Sequence, residues 1–380
     1  MNVMANQSIS SEGLWALTWK RLKADRLAMV SLGIVVLFLG LLVFSASGFV
    51  ASDWSKEVGV HYAPPDFVGS QSSYTADELA ETDAVPVREI PPENPVDPLK
   101  DIIRDLRKEV SKGQPSTETY GIEDPLKTEM EEIRSQQSLE ETAVSDDSGR
   151  LTTLPFGADK WGHDIIKKTV KGSETSILVG LIAAFVATVL GTFLGAFAGY
   201  FGGWIDDFLN WFYNVFTSIP YLLLILAVAA VLQSKGVLTI ILILGLTGWT
   251  GVFRLVRAEY IKHKEREYVL AANTIGASNW RRMFVHIFPN VSHISLVQMS
   301  ILSVGFIKSE VILSFLGFGV PVGVVSWGSM LNEAQNELIL GKWWQLVAVT
   351  VSMAVLVTAL SLFTDGLRDA LDPKLKQGDS

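Results

Sequence analysis

The chain has 380 residues, 49% hydrophobic and only 19% charged, with no cysteine. That balance sets aside an ordinary soluble enzyme in favour of a membrane class, and it excludes disulfides and thiolate metal sites. The net charge of −9 hides a division: residues 51–150 hold 23 acidic against 10 basic side chains, so the remainder is mildly basic and nucleic acid is not an expected partner.

Residues 1–26 read as a cytoplasmic N-terminal segment. Within it, Ser11–Arg26 has the apolar anchors Leu14, Trp15, Leu17, Trp19 and Leu22 among basic residues. That pattern fits a short interfacial amphipathic helix, or else the plain basic flank of a membrane span. Residues 27–50 follow as the first span: Leu27–Val50 is an uncharged apolar run of bilayer length, too long for the core of a signal peptide.

Residues 51–175 read as an acidic extracytoplasmic insertion with the lead-in to the second span. The stretch 51–150 holds 9 of the 14 prolines, and only Leu99–Ser111 and Pro125–Leu139 show helical spacing of apolar residues. It is expected to be short helices with limited core, acting either as a docking surface for a partner or as a solvated spacer.

Residues 176–365 form the expected membrane core. Its spans are Ile177–Tyr200, Phe208–Leu232, Val237–Phe253, Val291–Phe318 and Trp343–Phe363, which makes an all-α protein of six spans. In the first of these, Gly191, Gly195 and Gly199 repeat every fourth residue and offer one face to a close helix, in this chain or across a dimer seam. Pro220 is expected to kink the next span without ending it. Lys308 and Glu310 fall inside the fifth span, where an unpaired charge costs at least about 2.5–3.5 kcal/mol. Two apart on a helix, they are poor partners for each other. Each is a candidate for lining a pathway or a subunit interface; a structural polar contact competes for Glu310, and a snorkelling position for Lys308.

Basic residues flank the first span at Lys20, Arg21, Lys23 and Arg26, and they crowd the loop 254–289. Both then lie in the cytoplasm, as does the tail 366–380, which sets both termini inside. The loop's first half favours helix. Gly276 follows as a stop and Ser278 as the cap of a second helix, with Ala271 and Ala272 leaving room for a partner surface.

No phosphate-binding loop, zinc-protease motif or serine-nucleophile elbow occurs, and the five histidines are scattered. The chain is therefore not expected to be an enzyme or to bind a cofactor or metal.

The run Glu265–Asn290 resembles the EAA signature of ABC importer permeases. Ala271, Ala272, Gly276 and Pro289 match it, while Leu270 stands where the signature has Glu, His286 where it has Ile and Phe288 where it has Leu. Further stretches resemble the second, C-type permease of dipeptide and oligopeptide importers: Pro155–Asp159, Gly162–Asp164, Ala198–Asp206, Ser314–Gly319, Ser326–Gly328 and Asp365–Pro373. Departures are His163 and Glu174 at usually basic positions, and Trp211 and Asn214 where Arg and Asp are common.

The resemblance covers about residues 12–50 and 151–376. It implies a type I importer permease fold in a bacterial or archaeal cytoplasmic (inner) membrane. Implied partners are a sister permease in a heterodimer, two ABC ATPases that carry the ATP and Mg, and an extracytoplasmic solute-binding protein. It assigns ATPase coupling to Glu267, Tyr268, Leu270, Ala271, Ala272, Gly276, Ala277 and Ser278, and to Glu310 an acidic position of the family. Peptides are the implied cargo, with nickel chelates or oligosaccharides as alternatives in the same branch. An ATP-independent secondary transporter and a membrane scaffold are the rivals of other classes.

Overall fold

A computed structural model describes residues 14–69, 105, 108, 150–321 and 323–371. The chain divides into two compact units, residues 1–67 with 152–380, and residues 68–151. The expected helices at Leu99–Ser111 and Pro125–Leu139 lie outside the described residues, apart from the isolated positions Asp105 and Lys108.

The larger unit is helical. In chain order it holds α1 (Leu14–Ala24), α2 (Arg26–Ala46), α3 (Ile165–Phe201), α4 (Gly203–Thr217), α5 (Tyr221–Leu232), α6 (Val237–Thr247) and α7 (Thr250–Lys264). It continues with α8 (Glu267–Thr274), α9 (Asn279–Arg281), a π-helical turn (Arg282–Ile287), α10 (Phe288–Phe315), α11 (Trp327–Ile339) and α12 (Trp344–Leu371). Extended pairing among the described residues is confined to isolated bridges, such as Glu57 with His163.

Among the described residues five stretches are long and apolar enough to cross a bilayer: Arg26–Ala46, Ile165–Phe201, Val237–Lys264, Asn279–Phe315 and Trp344–Leu371. A sixth exists only if α4 and α5 count as one span, and they meet at 88°. The expectation that Pro220 would merely kink this span is thus corrected. Helix α4 ends at Thr217 and α5 restarts at Tyr221, with Pro220 extended at ψ 130° in the cap position. Proline cannot donate to the preceding turn, and its ring drives Ile219 out of helical geometry.

Helix α3 is the mast. Its flank at Val179, Ala183 and Ala187 packs with Ile240 and Leu244 of α6 and Phe306 of α10. Lower in sequence, Ile177 joins Ile307, Trp327, Met330 and Leu356. A third cluster unites Ala196 with Val256, Tyr260, Val269, Met283 and Ile287.

The glycine stripe faces α7 of the same chain. A Cβ on Gly191 would sit 2.6 Å from the Trp249 carbonyl oxygen, one on Gly195 2.7 Å from that of Phe253, and one on Gly199 2.6 Å from that of Arg257. Backbone therefore meets backbone along three turns, and the stripe is an intrachain seam rather than a dimer face.

Residues on both flanks of the acidic stretch fold back together. The Asp66 amide donates to the Leu154 carbonyl at 2.9 Å and that of Ala158 to Ala63 at 2.8 Å, over a small core of Ala63, Leu154 and Ala158. The lead-in thus belongs to the membrane unit, and the separate unit begins only at residue 68.

Candidate functional site

At the end of the bundle where α3 and α7 finish, the chain builds a short rigid projection. Helix α8 stops in a left-handed turn: Gly276 has φ +80°, and the Ala277 amide reaches back to the Ala272 carbonyl at 3.0 Å. Ser278 then caps α9, accepting from the Arg281 amide at 3.4 Å. Local turn chemistry forms both as the sequence predicts.

Underneath, Val269 is buried against Tyr260, Met283 and Ile287, and Ala272 is buried as well. The Tyr260 hydroxyl donates to the Met283 carbonyl, and the His263 ring meets the Tyr268 hydroxyl at 2.8 Å. Burial pushes the Tyr268 hydroxyl above its ordinary pKa. The outer face carries Glu267, Tyr268, Leu270, Ala271 and Ile275, with Trp280 beyond the turn. The two alanines are thus divided, contrary to the sequence reading. Ala271 faces outward and leaves room for a partner, whereas Ala272, one residue further round the helix, is spent on the core.

Arg282 braces the turn. Its guanidinium donates to Asn273 Oδ1 at 2.7 Å and to Asn279 Oδ1, and lies 5.7 Å from the Tyr200 ring centre. Beside it opens a cavity of about 410 Å³ lined by Tyr200, Phe201, Lys264, Leu270, Asn273 and Arg282. A second brace joins α4 to α7, where Arg257 grips Asp206 through two nitrogens at 2.5 and 2.6 Å, with Asn210 donating to the same carboxylate. Sequence reading missed this pair, since its members lie 51 positions apart. Trp211 and Asn214, which stand where Arg and Asp are common in the family, are exposed.

The two intramembrane candidates separate. Glu310 is 0% exposed and sits inside the chain, accepting from Ser314 Oγ at 2.6 Å beside the hydroxyls of Ser176 and Ser326. It joins α10, α3 and the cap of α11, and in this conformation it lines no open surface. Lys308 is exposed and meets no hydrogen-bond or ion partner among the described residues. Gly305, one turn earlier, faces open space, and Ile301 and Ile312 share that exposed stripe.

Around the start of α3, at the other end of the mast, lies a polar cluster that sequence reading did not assemble. Lys168 bridges Asp159 and Glu333, both at 2.6 Å, and the His163 ring meets Asp159 at 2.9 Å. These groups come from the lead-in loop, α3 and α11. Among the described residues no group of three or more His, Cys, Asp or Glu side chains is arranged to hold a metal ion.

The chain is similar to several known proteins. Residues 191–377 match the family described as binding-protein-dependent transport system inner membrane component, and residues 13–65 match the N-terminal TM domain of oligopeptide transport permease C. The dipeptide transport system permease protein DppC of Bacillus subtilis is 37% identical over 222 residues, 58% of this chain and 69% of that one. The oligopeptide permease OppC of the same organism is 36% identical over 222 residues, covering 58% and 72%. The di/tripeptide permease DppC of Pseudomonas aeruginosa is 32% identical over 221 residues, with the same coverage. A solved structure of the MetNI methionine ABC transporter in inward-facing conformations covers 54% of this chain and 96% of that one. Its TM-score is 0.43 and its identity 16%, too slight a likeness to place individual elements.

Proposed function

Because the chain belongs to the family of binding-protein-dependent peptide-importer permeases, on its C-type branch, we propose that it is one of two permeases through which an ATP-driven importer carries di- or oligopeptides. In this reading the α8–Gly276–Ser278–α9 projection is the cytoplasmic contact for an ABC ATPase, and both chain termini lie on that side. Closure of two ATPases on ATP pushes the projection, and the seams of α3 with α7 and α10 carry the displacement to the outer end. ATP and Mg stay on the ATPases; this chain contributes a surface and stiffness.

The observation that carries the proposal is the pairing of a rigid base with an apolar outer face. Val269 and Ala272 anchor the projection, while Ile275, 84% exposed, and Leu270, 54% exposed, point away from the fold. Apolar side chains held on a stiff cytoplasmic turn serve a partner surface. With Leu270 where relatives carry Glu, the contact relies on shape and apolar packing more than on charge.

Lys308 is assigned in the same reading to the face shared with the sister permease and the pathway between them, since a lone ammonium on an apolar span needs water or a carboxylate opposite it. The acidic stretch 68–151 is assigned to docking of the solute-binding protein outside.

The test is Ile275→Asp in the assembled transporter. The side chain makes no core contact, so insertion and pairing with the sister permease should persist while ATP-stimulated peptide uptake falls at least about tenfold, a loss of roughly 1.4 kcal/mol in coupling. Uptake at the unmodified rate would remove the projection from the coupling role.

A further inference from the structure

The polar cluster at the start of α3 contains a carboxylate with nothing to hold it. Glu337, on α11, is 1% exposed, and neither of its oxygens has a hydrogen-bond partner. Gln345 of α12, which reaches the same cluster through Glu333, is fully buried; its Nε2 donates to the Met330 carbonyl at 3.0 Å and more weakly to Glu333 at 3.4 Å, which leaves Oε1 unpaired. Three acceptor atoms on these two residues are thus buried without a donor, which ordinary folds do not leave standing.

The surrounding charge makes matters worse for an ionised Glu337. The charges acting on it are Lys168 from α3, Asp159 from the lead-in loop and Glu333 one turn back on α11. The Lys160 backbone amide approaches without satisfying either oxygen. Tyr62 also faces the group, and His163 adds only its contact with Asp159. At the α11–α12 turn, the Lys342 ammonium lies over the Trp344 ring. Lys168 is the one close cation of this set, and it is already shared at 2.6 Å between Asp159 and Glu333. A third carboxylate there has no counter-charge of its own.

We propose that this cluster is a proton-binding site, in which Glu337 takes a proton from external water and the neutral acid closes the seam between α11, α3 and the lead-in loop. The uptake is a simple acid–base step: one carboxylate oxygen takes a proton from water, the negative charge is removed, and an orphan acceptor becomes a donor. Loss of the proton restores a charge facing Asp159 and Glu333 and loosens the seam. External pH then sets how firmly this end of the bundle is held. The site is a feature of this chain's own packing and stands or falls independently of what is transported.

Burial, the first cause, lifts the Glu337 carboxyl from an ordinary 4.5 to about 7, against the partial relief given by Lys168. A raised folded-state value means that the stability held by the neutral acid is complete below the ordinary value. It is lost as pH climbs to about 7, and no further loss follows above that.

The test uses the purified transporter with its partner chains. The unfolding midpoint should fall between about pH 5 and about pH 8, and Glu337→Gln should abolish that fall and leave the variant more stable than the parent at the upper pH. Glu333→Gln, which lies in the same cluster but is already bonded to Lys168, should keep the fall. Infrared spectroscopy of the unmodified protein should show a protonated-carboxyl band that titrates near neutral pH. Parallel pH profiles for parent and Glu337→Gln would overturn the proposal. So would the absence of any such titrating band, a result that needs no variant to fold.

Discussion

Glu310 shows a buried acid tied into the packing through one oxygen, its Oε2 being left without a donor. It carries the hydroxyl of Ser314 on one oxygen, has those of Ser176 and Ser326 beside it, and sits where α10, α3 and the start of α11 converge. Ser176 Oγ also accepts from the Trp327 amide at 3.1 Å, so the acid, the serines and the cap of α11 form one junction. Glu310→Gln keeps the shape and an acceptor, and should leave insertion and uptake within about twofold of the parent. Glu310→Ala strands the Ser314 hydroxyl and opens a void, and should cost about 1–3 kcal/mol of stability in a denaturant titration. Equal stability of the Gln and Ala variants would show that the junction does not matter. The same residue marks a limit of sequence reading: an acid inside an apolar run signals importance, but whether it faces a pathway or a neighbouring helix depends on three segments distant in sequence.

Among elements, the seam of α3 with α7 is the most exacting. Gly195→Val would drive a branched side chain into the Phe253 carbonyl 2.7 Å away, with the Arg257 amide at 3.1 Å behind it, and backbone cannot yield as a side-chain tip does. Expression of a correctly inserted transporter should collapse. Gly251→Ala, on α7 but with nothing within 4 Å, should be neutral or stabilise by up to about 1 kcal/mol through helix propensity. If Gly195→Val were inserted and active like the parent, the close seam would be wrong.

The repeat of three glycines was legible because it needs only helical phase. So was the stop at Gly276 with its cap at Ser278, which are local backbone chemistry. The division between Ala271 and Ala272 required knowing which face of α8 the core takes, and the Asp206–Arg257 pair required the packing of α4 on α7. Pro220 was half legible. Its chemistry weakens a helix anywhere, but whether the chain bends or breaks depends on neighbours, and α5 buries only Ile225 and Ala229. Little packing there resists an 88° turn.

At the scale of the molecule, the chain leaves the membrane unit at Phe67 and re-enters it at Thr152. Pairing of Pro64 and Asp66 with Leu154 at 3.2 and 2.9 Å shows those points to be neighbours. The membrane unit is therefore closed without residues 68–151, and a short Gly/Ser bridge can span the gap. Closing a loop several-fold shorter also lowers the entropy cost of folding, by about 0.6 kcal/mol for each halving of length. The excised transporter should insert, keep its sister permease and unfold at or above the parent's midpoint. On the docking role proposed above, what should change is the affinity of the solute-binding protein. A strongly acidic surface attracts a partner with a basic rim, and that attraction weakens with salt over a screening length of about 8–10 Å. Removing it should weaken the solute-binding protein's affinity at low salt and flatten the dependence on salt, while uptake driven by saturating binding protein persists. A bridged chain that fails to insert would show that the membrane unit is not self-sufficient. Unchanged affinity with an unchanged salt slope would assign the acidic stretch the role of a spacer, and would leave recognition to the lead-in loop and α11.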